Sequence, residues 1–440
     1  MRYLLLLLSL LSAGSARAAE IDFTRYLGVA TPIAPIEHAP FIGLSGKGRV
    51  QIEGEDSPVE LFLNDVEITF DNALSEVEVI LKPHNRLTVR ANSKISVRIK
   101  QRAEVRLHVM SRVHFNTNVS DFAKARAFYG ALGFETLSGF PDTNTVAMAQ
   151  AIGISTPTDY DGSQGGEPGG YLLHGELIAI GGFGGGVIDL IEFTIPRNES
   201  PPYAAVNHLG MARAVLHTTD IESDYSLLSQ KGVRFLSPPT RRADGSLFVL
   251  LQDPDGTFYE LAEVSGYAED QTPTHINSLG ALNINVSDFE RSSAWYSMFG
   301  YTEAHTLPER QPLSVARAMG LSEPIHIKGA LLTHLLDDST IELVQWLNPA
   351  DHRPPYPAPV NHLGIHRTAF STTDIKADVA ALKAQGVQFI SPITPCCDGP
   401  DSWGRIVAFY DPDGTVVELV EQPLMTVLFR VTRWFSGWFD

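Results

Sequence analysis

Apolar and polar residues alternate with period two over much of the chain from Ile21 to Leu107. Val59-Glu60-Leu61-Phe62-Leu63 runs through Asn64-Asp65 into Val66-Glu67-Ile68-Thr69-Phe70, which predicts a hairpin with a turn pair that tolerates positive φ. Further alternating runs follow at Val77 to Leu81, Leu87 to Arg90, Ile95 to Ile99 and Val105 to Val109. So many short strands pack most simply as a small all-β sandwich. No catalytic set assembles within it, so residues 19–109 are expected to form an accessory or docking domain.

From Met110 the rhythm changes to strand, helix, then strands. Val113 to Val119 predicts a strand, and Asp121 sits where a helix cap is wanted before Phe122, Ala125 and Tyr129, which share one apolar face. Gly133 ends that helix. A second round begins with the strand Ala212 to Thr218, is capped by Asp220, ends its helix near Gly232 and closes through Asp253-Pro254-Asp255-Gly256 into Tyr259-Glu260-Leu261. A glycine-rich stretch at Gly181 to Gly186 lies between two strands and opens no helix, so a phosphate-cradling role is not expected of it.

The same program is then repeated. Asn118-Val119-Ser120-Asp121-Phe122 returns as Asn285 to Phe289, Asn207-His208-Leu209-Gly210 as Asn361 to Gly364, and Asp253 to Thr257 as Asp411 to Thr415, at offsets of 167, 154 and 158 residues. Whole domains are therefore duplicated with modest loop insertions. Asp288 and Asp374 cap the corresponding helices, and Ile341-Glu342-Leu343 echoes Ile191-Glu192-Phe193. The domains expected are 110–268 and 275–423, with a tail at 424–440.

Both termini bear on location. Arg2, the apolar run Leu4 to Leu11 and Ala16-Arg17-Ala18 have the form of a cleaved secretory signal over 1–18, and the run is too short to span a bilayer. An exported protein, periplasmic or extracellular, is expected. In the tail, a helix would gather Thr426, Arg430, Arg433 and Gly437 on one side and Leu428, Val431, Phe435 and Trp438 on the other. Such a stripe either packs on the protein or lies in a membrane interface as a peripheral contact. The formal net charge of −18 argues against nucleic acid as a partner, because phosphate binding needs basic patches. The two cysteines, Cys396 and Cys397, are adjacent; a bridge between neighbours needs a strained ring, so free loop thiols are expected.

Four βαβββ modules in two pairs, each pair ending in Asp-Pro-Asp-Gly before a strand with Glu-Leu, resemble the vicinal oxygen chelate superfamily, which includes glyoxalase I, extradiol dioxygenases and bleomycin-resistance proteins. The resemblance implies an α+β fold of two tandem domains of paired modules in cupped mixed sheets. It also implies a cavity in which a metal takes ligands from the first and last strand of each module. Transferred residue by residue, it offers His114, Glu192 and Glu260 in the first pair, with Arg213 where a second histidine is wanted. In the second pair the matching residues are Ala281, Glu342, Arg367 and Glu418, with no neutral nitrogen ligand unless His366 turns inward against strand alternation.

Three readings of these residues stand open. One divalent ion on His114, Glu192 and Glu260 in the first domain would polarise a substrate oxygen while Glu192 or Glu260 moves a proton, as in a lyase or isomerase of glyoxalase type. Alternatively, Arg213 between Glu192 and Glu260, and Arg367 between Glu342 and Glu418, replace the ion as salt-bridge centres, since guanidinium has no lone pair to give. In the third, Arg213 or Arg367 faces the cavity and binds an anionic group of a small ligand. Small-molecule binding or processing is common to all three, and a non-catalytic sequestering protein is the competing class. Sequence leaves open whether the modules of one pair close on each other or exchange with a second chain.

Overall fold

In the computed structural model, strands are described between residues 20 and 101, and side chains within 105–140, 144–181, 186–265, 274–396 and 403–421. The expected signal at 1–18, the tail at 424–440, the centre of the glycine-rich stretch and Cys397 lie outside the described residues.

The chain divides into two compact units at Arg106/Leu107. Within the first, Glu20–Arg25, Ile95–Gln101, Gly46–Gly54 and Glu76–Leu81 form one sheet, and Val66–Ile68, Val59–Leu63 and Leu87–Ala91 another. The expected hairpin is present, with Leu63 opposite Val66. Val105 to Val109 is not a strand of this unit. Instead the backbone N–H of Leu107 donates to Met298 O at 2.8 Å, and the next strand, Val109–Asn118, belongs to the second unit.

The second unit is α+β and contains the four expected modules. Each long helix is capped as its sequence demands: Asp121, Asp220, Asp288 and Asp374 accept from the backbone N–H three residues on, opening Phe122–Leu132, Ile221–Gln230, Phe289–Ser297 and Ile375–Ala384.

The modules do not combine in chain order. Module 1 (strands Val109–Asn118, Glu135–Gly139, Leu172–Ala179, Val187–Ile195) joins module 4 (Gly364–Thr372, Thr394–Pro395, Arg405–Tyr410, Val416–Glu421) in one eight-stranded sheet. Module 2, from Arg213–Thr218 to Phe258–Glu263, joins module 3, from Ile276–Asn285 to Thr340–Asn348, in a ten-stranded sheet. Each seam is antiparallel: Ala369 lies opposite His114 in one, and Val215 opposite Ala281 in the other. Every sheet thus takes one module from each copy, so the closure that the sequence leaves open is an exchange between the two copies within one chain.

The repeated motifs hold this exchange in place. Within a copy, Ser120 donates through its backbone N–H and hydroxyl to the carboxylate of Asp255, and Ser287 does the same to Asp413. Between copies, the amide nitrogen of Asn118 donates to Val360 O and His362 O, while that of Asn285 donates to Val206 O and His208 O. Buried carbonyls of the connecting segments are thereby satisfied. The two segments also meet directly, with Tyr203 stacked on Tyr356 at 4.5 Å between centroids and each ring backed by a histidine, His208 and His362.

Candidate functional site

The cavity of the ten-stranded sheet is built on residues from the first and last strands of modules 2 and 3. Val215 pairs with both Glu260 and Ala281, and Asn283 with Glu342, so strand alternation sends Arg213, Glu260, Ala281 and Glu342 to one face. Arg213 is buried at their centre. Its Nε donates to Glu260 Oε2 at 3.1 Å and its Nη2 to Glu342 Oε2 at 2.5 Å. Arg242 Nη2 stands 2.8 Å from Glu260 Oε1, with its guanidinium carbon 3.9 Å over the Phe248 ring. Asn283 Nδ2 donates to Glu342 Oε2 at 3.2 Å. Burial pushes the Glu260 carboxyl up, but Arg242 and Arg213 outweigh it and hold the group below the usual carboxylate range. Two cations and two anions therefore close into a charge-balanced cluster, the condition under which buried ions are tolerated.

Above this cluster lies a cavity of about 260 Å³. Its walls are largely apolar, including Val315, Met319, Ile325, Ile327, Val344 and Trp346, which belong to one buried core cluster. The indole N–H of Trp346 donates to Asn285 Oδ1 at 2.9 Å, which fixes the ring. His217 also faces the cavity, against Gly280; a Cβ at 280 would stand 2.3 Å from its Nε2. One donor remains unmatched: Arg213 Nη1 is buried without a hydrogen-bond partner.

The eight-stranded sheet carries the corresponding residues of modules 1 and 4: His114, Asp189, Arg367 and Glu418. Arg367 Nη1 lies 2.8 Å from Glu418 Oε2 and Nη2 3.6 Å from Asp189 Oδ2, while His114 Nδ1 is 3.2 Å from that same oxygen. Proximity here exceeds alignment. His114 Nδ1, Asp189 Oδ1, Arg367 Nε and Glu418 Oε2 are all buried without a hydrogen bond. Burial, reinforced by the Arg367 charge, pulls the His114 imidazole down to about 3. Burial pushes Asp189 up to about 7, with Arg367 opposing and Glu418 assisting, and raises Glu418 against Arg367.

Several expected assignments are corrected by these positions. His114, Glu192 and Glu260 do not converge, because modules 1 and 2 lie in different sheets. Glu192 is on neither charged cluster: its Oε2 accepts from the backbone N–H of Phe122 at 3.0 Å, at the helix start, and its Oε1 lies 3.2 Å from Arg197 Nη1. Its counterpart is Gln345, which accepts from Phe289 N. Glu342 instead corresponds to Asp189, three residues earlier than expected, and three is odd, so the two acids face opposite sides of the strand. Arg213 does sit between two carboxylates, Glu260 and Glu342, and Arg367 sits between Glu418 and Asp189; neither touches Glu192.

His366 does not turn toward the carboxylates. Its ring stacks on His362 at 5.3 Å, neither of its ring nitrogens has a partner, and burial pulls its pKa down to about 3. Cys396 is disulfide-bonded rather than a free thiol. Among the described residues no three His, Cys, Asp or Glu side chains gather to hold a metal, and in both clusters an arginine occupies the centre, so the residues present do not fit an ion. Two participants were missed. Asp189 could have been found by strand parity from His114, whereas Arg242, arriving from a hairpin of module 2, left no signal.

The family model for the Glyoxalase/Bleomycin resistance protein/Dioxygenase superfamily matches residues 111–261 and 275–419. Among solved structures, glyoxalase I from Zea mays is similar at 17% identity, covering 70% of this chain and 92% of that one with a TM-score of 0.47. A putative dioxygenase from Bacillus subtilis is similar at 12% identity, covering 72% and 86% with a TM-score of 0.47. A glyoxalase family protein from Bacillus cereus matches at 20% identity over 36% of this chain and 98% of its own, with a TM-score of 0.30. No curated protein matches the chain.

Proposed function

The chain belongs to the Glyoxalase/Bleomycin resistance protein/Dioxygenase superfamily, and from that premise we propose that it binds a small molecule, without a metal, in the cavity shared by modules 2 and 3. The observation that carries this reading is the guanidinium of Arg213 between Glu260 and Glu342 at the cavity floor. A positive group already stands where the fold's resemblance places an ion, and it is bonded to the carboxylates an ion would need. Metal-dependent lyase chemistry on His114, Glu192 and Glu260 has no support, because those residues lie apart. Sequestering or presenting a ligand is therefore favoured over turning it over. The signal-like start adds export to the same proposal, and the tail adds a peripheral membrane contact.

Thermal shift against a panel of small apolar molecules tests the reading. Binders at about 100 times their Kd should stabilise the protein by about 2.7 kcal/mol, and Ala281→Phe, which fills the cavity floor, should abolish the shift. Hits that stabilise the variant equally, or a stoichiometric divalent ion in the purified wild type, would overturn it.

A further inference from the structure

We infer that the ligand of this cavity is a small apolar amine, bound as its ammonium ion through a hydrogen bond to Oε1 of Glu342. The inference rests on the metal-free binding reading above and gives it a ligand class. The two buried acids of the cluster are not equally occupied. Glu260 has Arg213 on one oxygen and Arg242 on the other. Glu342 has both its side-chain partners, Arg213 Nη2 and Asn283 Nδ2, on Oε2, and among the described residues no hydrogen bond reaches Oε1. Nor is Oε1 sealed in, as the unbonded Nη1 of Arg213 is; 12% of the Glu342 side chain is exposed, against 3% of Glu260. Glu342 lines the cavity on the face it shares with Arg213, Glu260 and Ala281, so the open oxygen is reached from the cavity.

Charge decides which donor fits. Histidines aside, the lining carries Arg213 and Arg242 against Glu260, Glu342 and Asp244, an excess of one negative charge. A cation offsets that excess and an anion adds to it. Arg242, the less buried of the two arginines, offers an anion little: it is 2.8 Å from Glu260, laid over Phe248 and within electrostatic reach of Asp244. Burying an ammonium is costly unless a partner takes its hydrogens and its charge, and an open carboxylate oxygen does both. The walls set the rest of the molecule. Ile325, Ile327, Val344 and Trp346 present an apolar surface, and about 260 Å³, below the roughly 300–1,000 Å³ of pockets for drug-sized ligands, suits a compact body.

Three probes of nearly one shape, benzylamine, ethylbenzene and benzoate, test this by calorimetry on the intact protein at about pH 8, where ordinary imidazoles are neutral. Benzylamine, an ammonium ion at that pH, should bind about tenfold or more tighter than ethylbenzene, the scale of one charge-assisted hydrogen bond, and benzoate should bind most weakly. Two variants place the contact. Asp244→Asn, at an exposed position, should keep the preference for benzylamine within about threefold, because exposed charges contribute little. Arg213→Met with Glu342→Gln removes cation and anion together, leaves Glu260 to Arg242 and should abolish the preference while ethylbenzene still binds. Ethylbenzene or benzoate binding as tightly as benzylamine, a preference lost in Asp244→Asn, or one kept in the double variant would overturn the inference while leaving metal-free binding intact. The wild-type ratio decides by itself if the double variant does not fold. Failure of all three probes to bind would instead count against the binding reading beneath it.

Discussion

Nη2 of Arg213 and Oε2 of Glu342 are 2.5 Å apart although the two residues lie in different copies of the tandem repeat. The ion pair crosses the seam between modules 2 and 3, and it is buried. Its partners tie the charge cluster and the exchanged topology into one testable unit.

A double-mutant cycle should find Arg213 coupled to Glu342 and uncoupled from Glu192. Arg213→Met and Glu342→Gln each strand a buried charge, at about 3–5 kcal/mol, and their coupling should exceed about 1 kcal/mol. The cycle with Glu192→Gln should close within about 0.5 kcal/mol. Chemical denaturation supplies every term; equal couplings would contradict the module pairing.

Replacing the guanidinium by imidazoles should restore an ion site. Arg213→His with Ala281→His sets two nitrogens beside Glu260 and Glu342, a ligand set suited to zinc. Elemental analysis should find about one equivalent of zinc in the double variant and less than about a tenth in the wild type after the same dialysis. Equal content in both would mean that Arg213 does not stand in for the ion.

Acid should destabilise the fold through His366. Its imidazole takes up a proton near pH 6.5 when unfolded but only at about 3 when folded, because burial disfavours the charge. Between those values the unfolded chain binds the extra proton. Stability is therefore full above pH 6.5 and falls as pH drops toward 3, by up to about 1.4 kcal/mol per unit. His366→Phe should remove this component, so variant and wild type should diverge below pH 6.5 and run parallel above it. A difference in unfolding free energy that is constant with pH would refute the assignment.

Asn118 and Asn285 occupy equivalent places but border different clusters. Asn118→Ala and Asn285→Ala each release two connecting-segment carbonyls and should destabilise by about 1–3 kcal/mol. Asn285→Ala should in addition free Trp346 and shift tryptophan emission, which Asn118→Ala should not do. Identical effects on emission would separate Trp346 from this network.

Local signals were legible in the sequence; long-range partnership was not. The caps at Asp121, Asp220, Asp288 and Asp374 act within three residues, so their chemistry is written beside them. Module pairing has no such record, because the same motifs recur in both copies and either closure satisfies them. The three-residue slip at Glu192 has a different origin. Val187–Ile195 carries two acids, Asp189 and Glu192, and likeness of the flanking residues selected the one whose parity sends it to the helix side. That Arg213 and Arg367 sit among carboxylates was readable in part: Glu260 and Glu418 belong to the same modules as these arginines, whereas Glu342 and Asp189 come from the opposite copy.

The seams have a consequence for how this protein could diverge. A homodimer of one copy, exchanging modules in the same way, would carry two identical clusters, and each substitution would alter both at once. Fusion into one chain lifts that symmetry. Ala281 and Glu342 stand in one cluster where His114 and Asp189 stand in the other, so one retains an apolar-walled chamber while the other holds a crowded, imperfectly bonded quartet. Each copy also owes its seam strands to the other: isolated, the first would leave the edges of Val109–Asn118 and Arg213–Thr218 unpaired, an invitation to associate with any available copy. Two differently composed clusters and one obligatory partnership are thus inherited together, by a single chain.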